Sequence, residues 1–144
     1  MWQQLFGLTN AVALVAWALL LFGPRRWLPL VRYVGVGLLC AVYVALFAAL
    51  TAGWLDPLRE PGTSGELAEY SVRGLRGLFA SDGGIVVGWT HYLALDLFAG
   101  AWIAEDSDRR GIGRLAQAPV LLLTFLAGPA GLLLHYVLTR VRRA

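Results

Sequence analysis

Four long apolar stretches, separated by short polar segments, constrain the fold of this chain more than any other feature. They cover approximately residues 5–22, 30–54, 84–104 and 115–138. Since a helix rises about 1.5 Å per residue, each is long enough to cross the roughly 30 Å hydrocarbon core of a bilayer. The residues are 58% hydrophobic and only 15% charged, which is also typical of membrane proteins. The sequence therefore predicts an all-α integral membrane protein, with one domain (residues 1–144) built as a four-helix bundle.

The basic residues are all arginines, and this excludes several classes of function. The net charge is +3, and the 12 arginines lie near the ends of the apolar stretches. That pattern is typical of anchoring at the membrane interface and argues against nucleic-acid binding. Without lysine, the chain offers neither a Schiff-base amine nor a P-loop lysine. Cys40 is the only cysteine, so it forms no intrachain disulfide. The first apolar stretch lacks a preceding basic segment and continues to Phe22, so we expect a retained span and not a cleaved signal peptide.

A different pattern lies between the second and third apolar stretches. Apolar residues recur at helical spacing from Ala68 to Phe79, and charged residues occupy the opposite face. Thr63 and Glu66 have the spacing of a capping box. This pattern predicts a short amphipathic helix over residues 64–80 that lies in the membrane interface. A solvated helix in a loop is the alternative.

The orientation of a four-span protein does not follow from the charges. With four spans, both ends of the sequence and the 64–80 helix lie on one side of the membrane. Six arginines then fall on that side and six on the other. The positive-inside rule compares such counts, so it does not decide between the two orientations.

Polar side chains within the apolar stretches are the candidate functional residues, because they are costly in hydrocarbon. From the rise per residue, we place Asn10, His91 and His135 in the same half of the bilayer, on three different helices. Asp96 lies deeper, near the midplane and at about the level of Tyr43. His91 and Asp96 differ by about 140° around their helix. They therefore either face different helix interfaces or flank one pocket from its two sides.

Each polar group also has a purely structural interpretation. A buried histidine often only forms a hydrogen bond to a neighbouring helix, and Asn10 could do the same. Asp96 is harder to explain in this way, since a carboxyl group at bilayer depth must be paired, protonated or facing water. The acidic residues 105–108 are interpreted as a solvated turn and not as a cation site. We expect no metal site.

The order of these features resembles the abscisic-acid-deficient-4-like (neoxanthin synthase-like) family over nearly the whole sequence. The matching segments are GLTNAVALVAWALLLFGP, SGELAEYSVRGLRGLFASD, GWTHYLALDLFAGAWIAED and LLLTFLAGPAGLLLHYVLTR. The most specific part is W-x-H-x-L-x-x-D-L-F-A at residues 89–99. The positions that carry over from the family are Trp89, His91, Asp96, Pro129 and His135.

The resemblance implies a reaction and a site. The plant member of the family is associated with an epoxide-to-allene isomerisation of a carotenoid, which needs an acid and a base but no redox cofactor. The resemblance implies Asp96 as the acid and His91 as the base. The side chains then predicted to contact a carotenoid or other long isoprenoid are Asn10, Tyr43, Trp89, Tyr92 and His135.

A non-catalytic membrane protein that binds a pigment or lipid, or that packs in a larger complex, is the alternative. In that case His91 and His135, at similar depth, are candidate axial ligands of a haem or chlorophyll. For the isomerase we expect no cofactor, no nucleic-acid partner and association with the bilayer, and an oligomer is left open. The lysine-free composition, rich in Ala, Leu and Gly, favours a GC-rich bacterium and hence the bacterial cytoplasmic membrane.

Overall fold

The computed structural model of the protein describes residues 1–55 and 71–141. Every regular element in these two ranges is helical, which confirms the predicted all-α class. The α-helices are α1 (Trp2–Phe22), α2 (Gly37–Thr51), α3 (Val72–Leu78), α4 (Asp82–Arg109), α5 (Arg114–Leu126) and α6 (Gly128–Val141). The elements that lead into α2 are a 3-10 helix (Arg25–Trp27) and a π-helical segment (Leu30–Val36).

Three helices of the described ranges are long and apolar enough to cross a membrane. They are Trp2–Phe22, Arg25–Thr51 and Asp82–Arg109, with mean hydropathies of 2.1, 2.3 and 1.2. These helices overlap the first three predicted apolar stretches. Their length and composition are therefore compatible with a membrane protein, as the hydropathy pattern predicts.

The helix α4 is central, because both other long helices pack against it. Gly100 on α4 has no side chain, and the Trp17 ring of α1 fills the space that a Cβ atom would need. The second long helix runs antiparallel to α4, and its Gly35 lies beside Leu97. Leu97 and Ala101 are fully buried. Glycine and alanine at these contacts let the helices approach closely, as they do in membrane helix bundles.

The predicted fourth span, residues 115–138, is not one continuous helix. It is divided at Ala127 into α5 and α6, of 13 and 14 residues, and neither has the roughly 20 residues that a span needs. The cause is the pair Gly128–Pro129, because proline has no N–H to continue α5 and glycine is a poor helix former. Ala127 itself is non-helical, with φ −157° and ψ 82°. The sequence predicts a kink here, and the structure has a complete break.

The two short helices form a hairpin. Thr124 and Gly131 are seven positions apart, yet the backbone of Gly131 lies against the backbone of Thr124. Gln117, near the start of α5, and His135, in α6, both bond to acidic residues near the end of α4. The chain therefore turns back at Ala127, and α6 ends at the same end of the bundle at which α5 begins.

This reversal corrects two predictions. The end of the bundle at which α1 and α4 finish and α5 begins is the hairpin end. His135 lies near the hairpin end, and not in the half of the bundle that contains Asn10 and His91. The end of α6 lies opposite to the start of α1, and not on the same side. Both predictions assumed that residues 115–138 form one helix that crosses the membrane in a single direction.

The predicted amphipathic helix over residues 64–80 is described only in part, because its first residues and its capping box lie outside the described ranges. Within them, α3 begins after Ser71, whose hydroxyl accepts a hydrogen bond of 3.0 Å from the Gly74 N–H. The backbone of Ser71 is extended, so the helix does not run unbroken over the predicted range. Val72 and Leu75, on the predicted apolar face, are exposed, which fits a helix that rests on a membrane surface.

Candidate functional site

The helix α4 carries the central residues of the predicted site. The predicted site residues lie at three different levels along this helix. Trp89 and His91 lie in the first half of the helix, and Asp96 lies close to the middle of its 28 residues. His135 reaches α4 only near the last turns. The three levels have different neighbours, so each has its own chemistry.

At the first level, Asn10 and Trp89 join α1 to α4. The Trp89 indole N–H donates a hydrogen bond of 3.1 Å to Oδ1 of Asn10, and the Phe6 and Trp89 ring centroids are 5.8 Å apart. The amide N–H of Asn10 donates to the backbone carbonyl of Phe6 at 2.6 Å, which fixes the orientation of the amide. Asn10 thus forms the hydrogen bond between helices that is expected if its role is purely structural.

Also in the first half of α4, His91 faces the second long helix. Its ring centroid lies 5.3 Å from that of Tyr43, and Tyr43 stacks on Phe47 at 5.8 Å. His91 is exposed, and it has no hydrogen-bond partner in the described part of the chain. Tyr43 lies at the level of His91 and not of Asp96 as predicted, because the second helix ends at Thr51, before the predicted boundary at 54.

Asp96 lies at the tip of the hairpin. Its carboxylate interacts with the backbone N–H of Gly128, the first residue of α6. The first N–H groups of a helix have no partner within the helix, and Pro129 has no N–H at all. The carboxyl group of Asp96 therefore supplies the hydrogen-bond acceptor that the start of α6 needs. His91 and Asp96 thus face different helices, which is one of the two arrangements that their angular separation allows.

At the hairpin end, His135 belongs to a polar network that sequence reasoning missed. Nε2 of His135 lies 2.9 Å from Oδ2 of Asp106, and the same oxygen accepts a hydrogen bond of 2.5 Å from Nε of Arg110. His135 is 2% exposed, and Trp102 packs edge-on against its ring at 5.5 Å. The histidine therefore joins α6 to α4, and it contacts none of the other predicted site residues.

The positions of the two histidines overturn one alternative. Asp106, the partner of His135, lies fifteen positions after His91 on α4, which is about 22 Å along the helix axis. The two imidazoles are therefore too far apart to bind the same metal from opposite faces of one macrocycle. His91 and His135 therefore do not serve as the two axial ligands of one haem or chlorophyll, and each remains a candidate only as a single ligand.

The acidic residues 105–108 are not the solvated turn that their composition predicts. They form the last turn of α4, and two of their three carboxylates pair with arginines from the segment that leads into α2. Glu105 pairs with Arg32 at 2.5 Å, and Asp108 pairs with Arg25 at 2.8 Å. Glu105 and Asp108 remain partly exposed, but each has an arginine partner from a distant segment.

Two signals in the sequence could have predicted part of this network. Asp106 and Arg110 are four positions apart, the spacing at which opposite charges meet on a helix. Gln117 is a single amide in an otherwise apolar run, and it is 1% exposed. Its amide donates to Asp108 and to the backbone carbonyl of Ile112, each at 2.7 Å. A buried amide of this kind must have partners.

Asp106→Leu should lower the free energy of unfolding by about 2 kcal/mol, because it leaves the buried imidazole of His135 without its partner. His135→Leu should also destabilise the protein. The double variant should lose less than the sum of the two single losses, because neither group is then left unpaired. Thermal melts of the detergent-purified proteins measure all three losses. Strictly additive losses would contradict a direct pairing.

The predicted site residues do not line one common pocket. An apolar groove of about 360 Å³ lies between α1 and the segment that leads into α2. Its walls are Ala11, Val12, Val15, Ala16, Leu19, Leu30, Val31, Val34, Gly35 and Leu38, and none of these is a predicted site residue. Among the described residues there is no group of three or more His, Cys, Asp or Glu that could hold a metal ion.

Comparison with known proteins links the chain to one family. A family model described as ABA4-like, ABA DEFICIENT 4-like, matches residues 4–135. The matched range contains all seven predicted site residues and the tip of the hairpin. Searches of curated proteins and of solved structures found no match.

Proposed function

We propose, because the chain belongs to the ABA4-like family, that it is an integral membrane protein that isomerises a carotenoid or related isoprenoid. The reaction class follows from the family's plant member, and the sequence match at residues 89–99 supports His91 and Asp96 as the reacting groups. We place the protein in the cytoplasmic membrane of a bacterium on the basis of its composition. The proposed isomerase works by acid–base chemistry without a cofactor.

One structural observation supports a site on α4: the hairpin covers only half of this helix. Its tip stops at Asp96, so within the described residues no helix packs over Tyr92 and Leu95, whereas nearer the start of α4 the end of α3 lies against Gly84 and Gly88. The exposed side chains on this uncovered face are Tyr92 and Leu95. In a bilayer this face opens sideways to the hydrocarbon, from which a long isoprenoid can enter.

The two proposed reacting groups border this uncovered face. Measured around the helix from His91, Leu95 lies at about 40°, Tyr92 at about 100° and Asp96 at about 140°. An isoprenoid that lies on Leu95 and Tyr92 therefore has the imidazole on one side and the carboxyl group on the other. His91 forms no competing hydrogen bond within the described residues, so its ring nitrogens are available to a substrate.

In the proposed reaction, the carboxylic acid of Asp96 donates a proton to the epoxide oxygen as the C–O bond breaks. The neutral imidazole of His91 removes a proton from the adjacent carbon, and the electron pair of the broken C–H bond forms the new double bond. The product carries a hydroxyl group and has the same formula as the substrate. Because no electrons are gained or lost overall, the reaction needs no redox partner.

A second candidate is a protein that binds an isoprenoid or lipid without converting it. The apolar groove beside α1 favours this candidate, because its walls carry only apolar side chains. Such a groove supplies affinity through burial of apolar surface but contains no reacting group.

Expression in a carotenoid-producing bacterial host should separate the two candidates. If the protein is an isomerase, we expect an epoxy-carotenoid to be converted into a product of the same mass and different retention time. Chromatography and mass spectrometry of the pigments, from cells and from purified protein, measure the conversion. An unchanged pigment profile together with a polyene bound to the purified protein would support the binding function. A bound tetrapyrrole would contradict both candidates.

A further inference from the structure

The hairpin enters the bundle from one end and reaches only its middle. The helices α5 and α6 have 13 and 14 residues, or about 20 Å each, whereas the hydrocarbon core is roughly 30 Å thick. The tip at Gly128 meets Asp96, near the middle of α4. A membrane around this protein would be crossed three times by the long helices and entered once by the hairpin.

The tip of the hairpin meets the requirement for a helix break inside the hydrocarbon core. Non-helical backbone at membrane depth is tolerated only where protein or water covers it. Gly128 and Gly131 are buried, and the Asp96 carboxylate interacts with the Gly128 N–H. Ala127 itself is exposed, but its N–H donates to the Leu123 carbonyl and its own carbonyl accepts from Ala130 and Gly131, so the break leaves neither backbone group of Ala127 without a partner.

Three crossings change the distribution of arginines between the two sides. Among the described residues, seven arginines lie at the hairpin end, within residues 25–32, 109–114 and at position 140. Two lie at the opposite end, at positions 73 and 76. Short segments rich in arginine stay on the cytoplasmic side of a membrane, from which the chain is inserted. The even balance of a four-span chain becomes seven to two among the described arginines, which favours a cytoplasmic hairpin end.

The described arginines at this end have three kinds of environment. Arg114 donates to the backbone carbonyls of Leu21 and Gly23. Those that pair closely with carboxylates of α4 are Arg25, Arg32 and Arg110. Arg26 and Arg140 are exposed and have no carboxylate partner in the described part of the chain. Arg109 is also largely exposed, and it lies 3.9 Å from its nearest carboxylate oxygen, on Asp106. Arg26, Arg109 and Arg140 form the basic rim of the hairpin end.

We propose that the hairpin end faces the cytoplasm and that the basic rim binds the phosphate groups of anionic phospholipids in that leaflet. A guanidinium group matches the geometry of a phosphate, to which it can donate two parallel hydrogen bonds. Anionic lipid headgroups attract arginines that lie next to a membrane span. The rim lies where α1 and α4 leave the hydrocarbon, so its charges are at the level of these headgroups.

Cysteine labelling in intact bacterial cells tests the orientation. In a Cys40→Ala background, a membrane-impermeant maleimide should label Gln3→Cys in intact cells. It should label Gly113→Cys and Arg140→Cys only after the cells are permeabilised. Labelling of Arg140→Cys together with Gln3→Cys in intact cells would overturn the proposal, because it requires a fourth crossing. The experiment needs no substrate, so its outcome is independent of the proposed function.

Reconstitution into vesicles tests the lipid partner. The wild-type protein should melt several degrees higher in vesicles that contain phosphatidylglycerol than in vesicles of phosphatidylcholine alone. The triple variant Arg26→Gln, Arg109→Gln, Arg140→Gln should lose more than half of this difference. The matched control Arg73→Gln, Arg76→Gln, at two exposed arginines of the opposite end, should keep it. Equal losses in both variants, or no difference for the wild type, would contradict the rim as the binding surface.

Discussion

Gly131→Val should prevent the hairpin from closing and strongly lower the melting temperature. A Cβ atom at position 131 would overlap the backbone of Thr124, and helix backbone does not move aside unless the hairpin opens. Overpacking a well-packed site costs about 1–3 kcal/mol and occasionally more. At the upper end of that range, a chain of this length loses roughly 10 °C of melting temperature. Thermal melts of the purified variants measure this loss.

The matched control for this prediction is Gly37→Val. Gly37 is also a helical glycine, but nothing lies within 4 Å of a Cβ atom added there. The control should melt within a few degrees of the wild type. If Gly131→Val melted together with the control, the close contact between α5 and α6 would be wrong.

Asp96→Asn and His91→Ala should each lower turnover by at least about 100-fold, since each removes a group that transfers a proton. Asparagine keeps an oxygen acceptor for the Gly128 N–H, but it cannot act as the acid. The His91 ring makes no hydrogen bond within the described residues, so its loss breaks none there. Most of the affinity for a long isoprenoid comes from apolar contacts, so both variants should keep the bound pigment. Pigment conversion and pigment content of the purified proteins measure the two effects separately.

Asp96→Leu separates the chemical role of this residue from its structural role. Leucine offers no acceptor to the Gly128 N–H, so this variant should be less stable than the wild type by about 1–3 kcal/mol. Asp96→Asn should melt close to the wild type. A folded Asp96→Asn protein with full turnover would mean that Asp96 only caps the start of α6 and that another group is the acid.

The three long helices follow from the sequence because hydropathy and length alone decide them. A run of apolar residues must be helical in hydrocarbon, whichever neighbours it has. The levels of Asn10 and His91 could be predicted for the same reason, since they depend only on the rise per residue. The hairpin is different, because a break at Gly128–Pro129 can kink a span or reverse it. Contacts between distant segments, such as the contact between Asp96 and Gly128, decide whether the chain is kinked or reversed there.

The polar network at the hairpin end also could not be predicted from the sequence alone. The acidic residues 105–108 look like a surface turn as long as their partners are unknown. Arg25 and Arg32 are more than seventy positions away from these carboxylates in the sequence. No local sequence pattern therefore indicates the pairing. The reversal of the chain also brings His135 to Asp106. The candidate residues on α4 could therefore be predicted individually, whereas their partners required the tertiary structure.

The half-length hairpin also gives the protein a tapered outline. Among the described residues, three long helices lie side by side along the bundle, and α5 and α6 add two more in the half that contains the hairpin. Since each helix with its side chains is about 10 Å wide, the two leaflets of a bilayer would have to make room for unequal cross-sections. Many copies in one patch of membrane should therefore bend it, with the broad side convex, and the protein should accumulate where the membrane already curves in that direction.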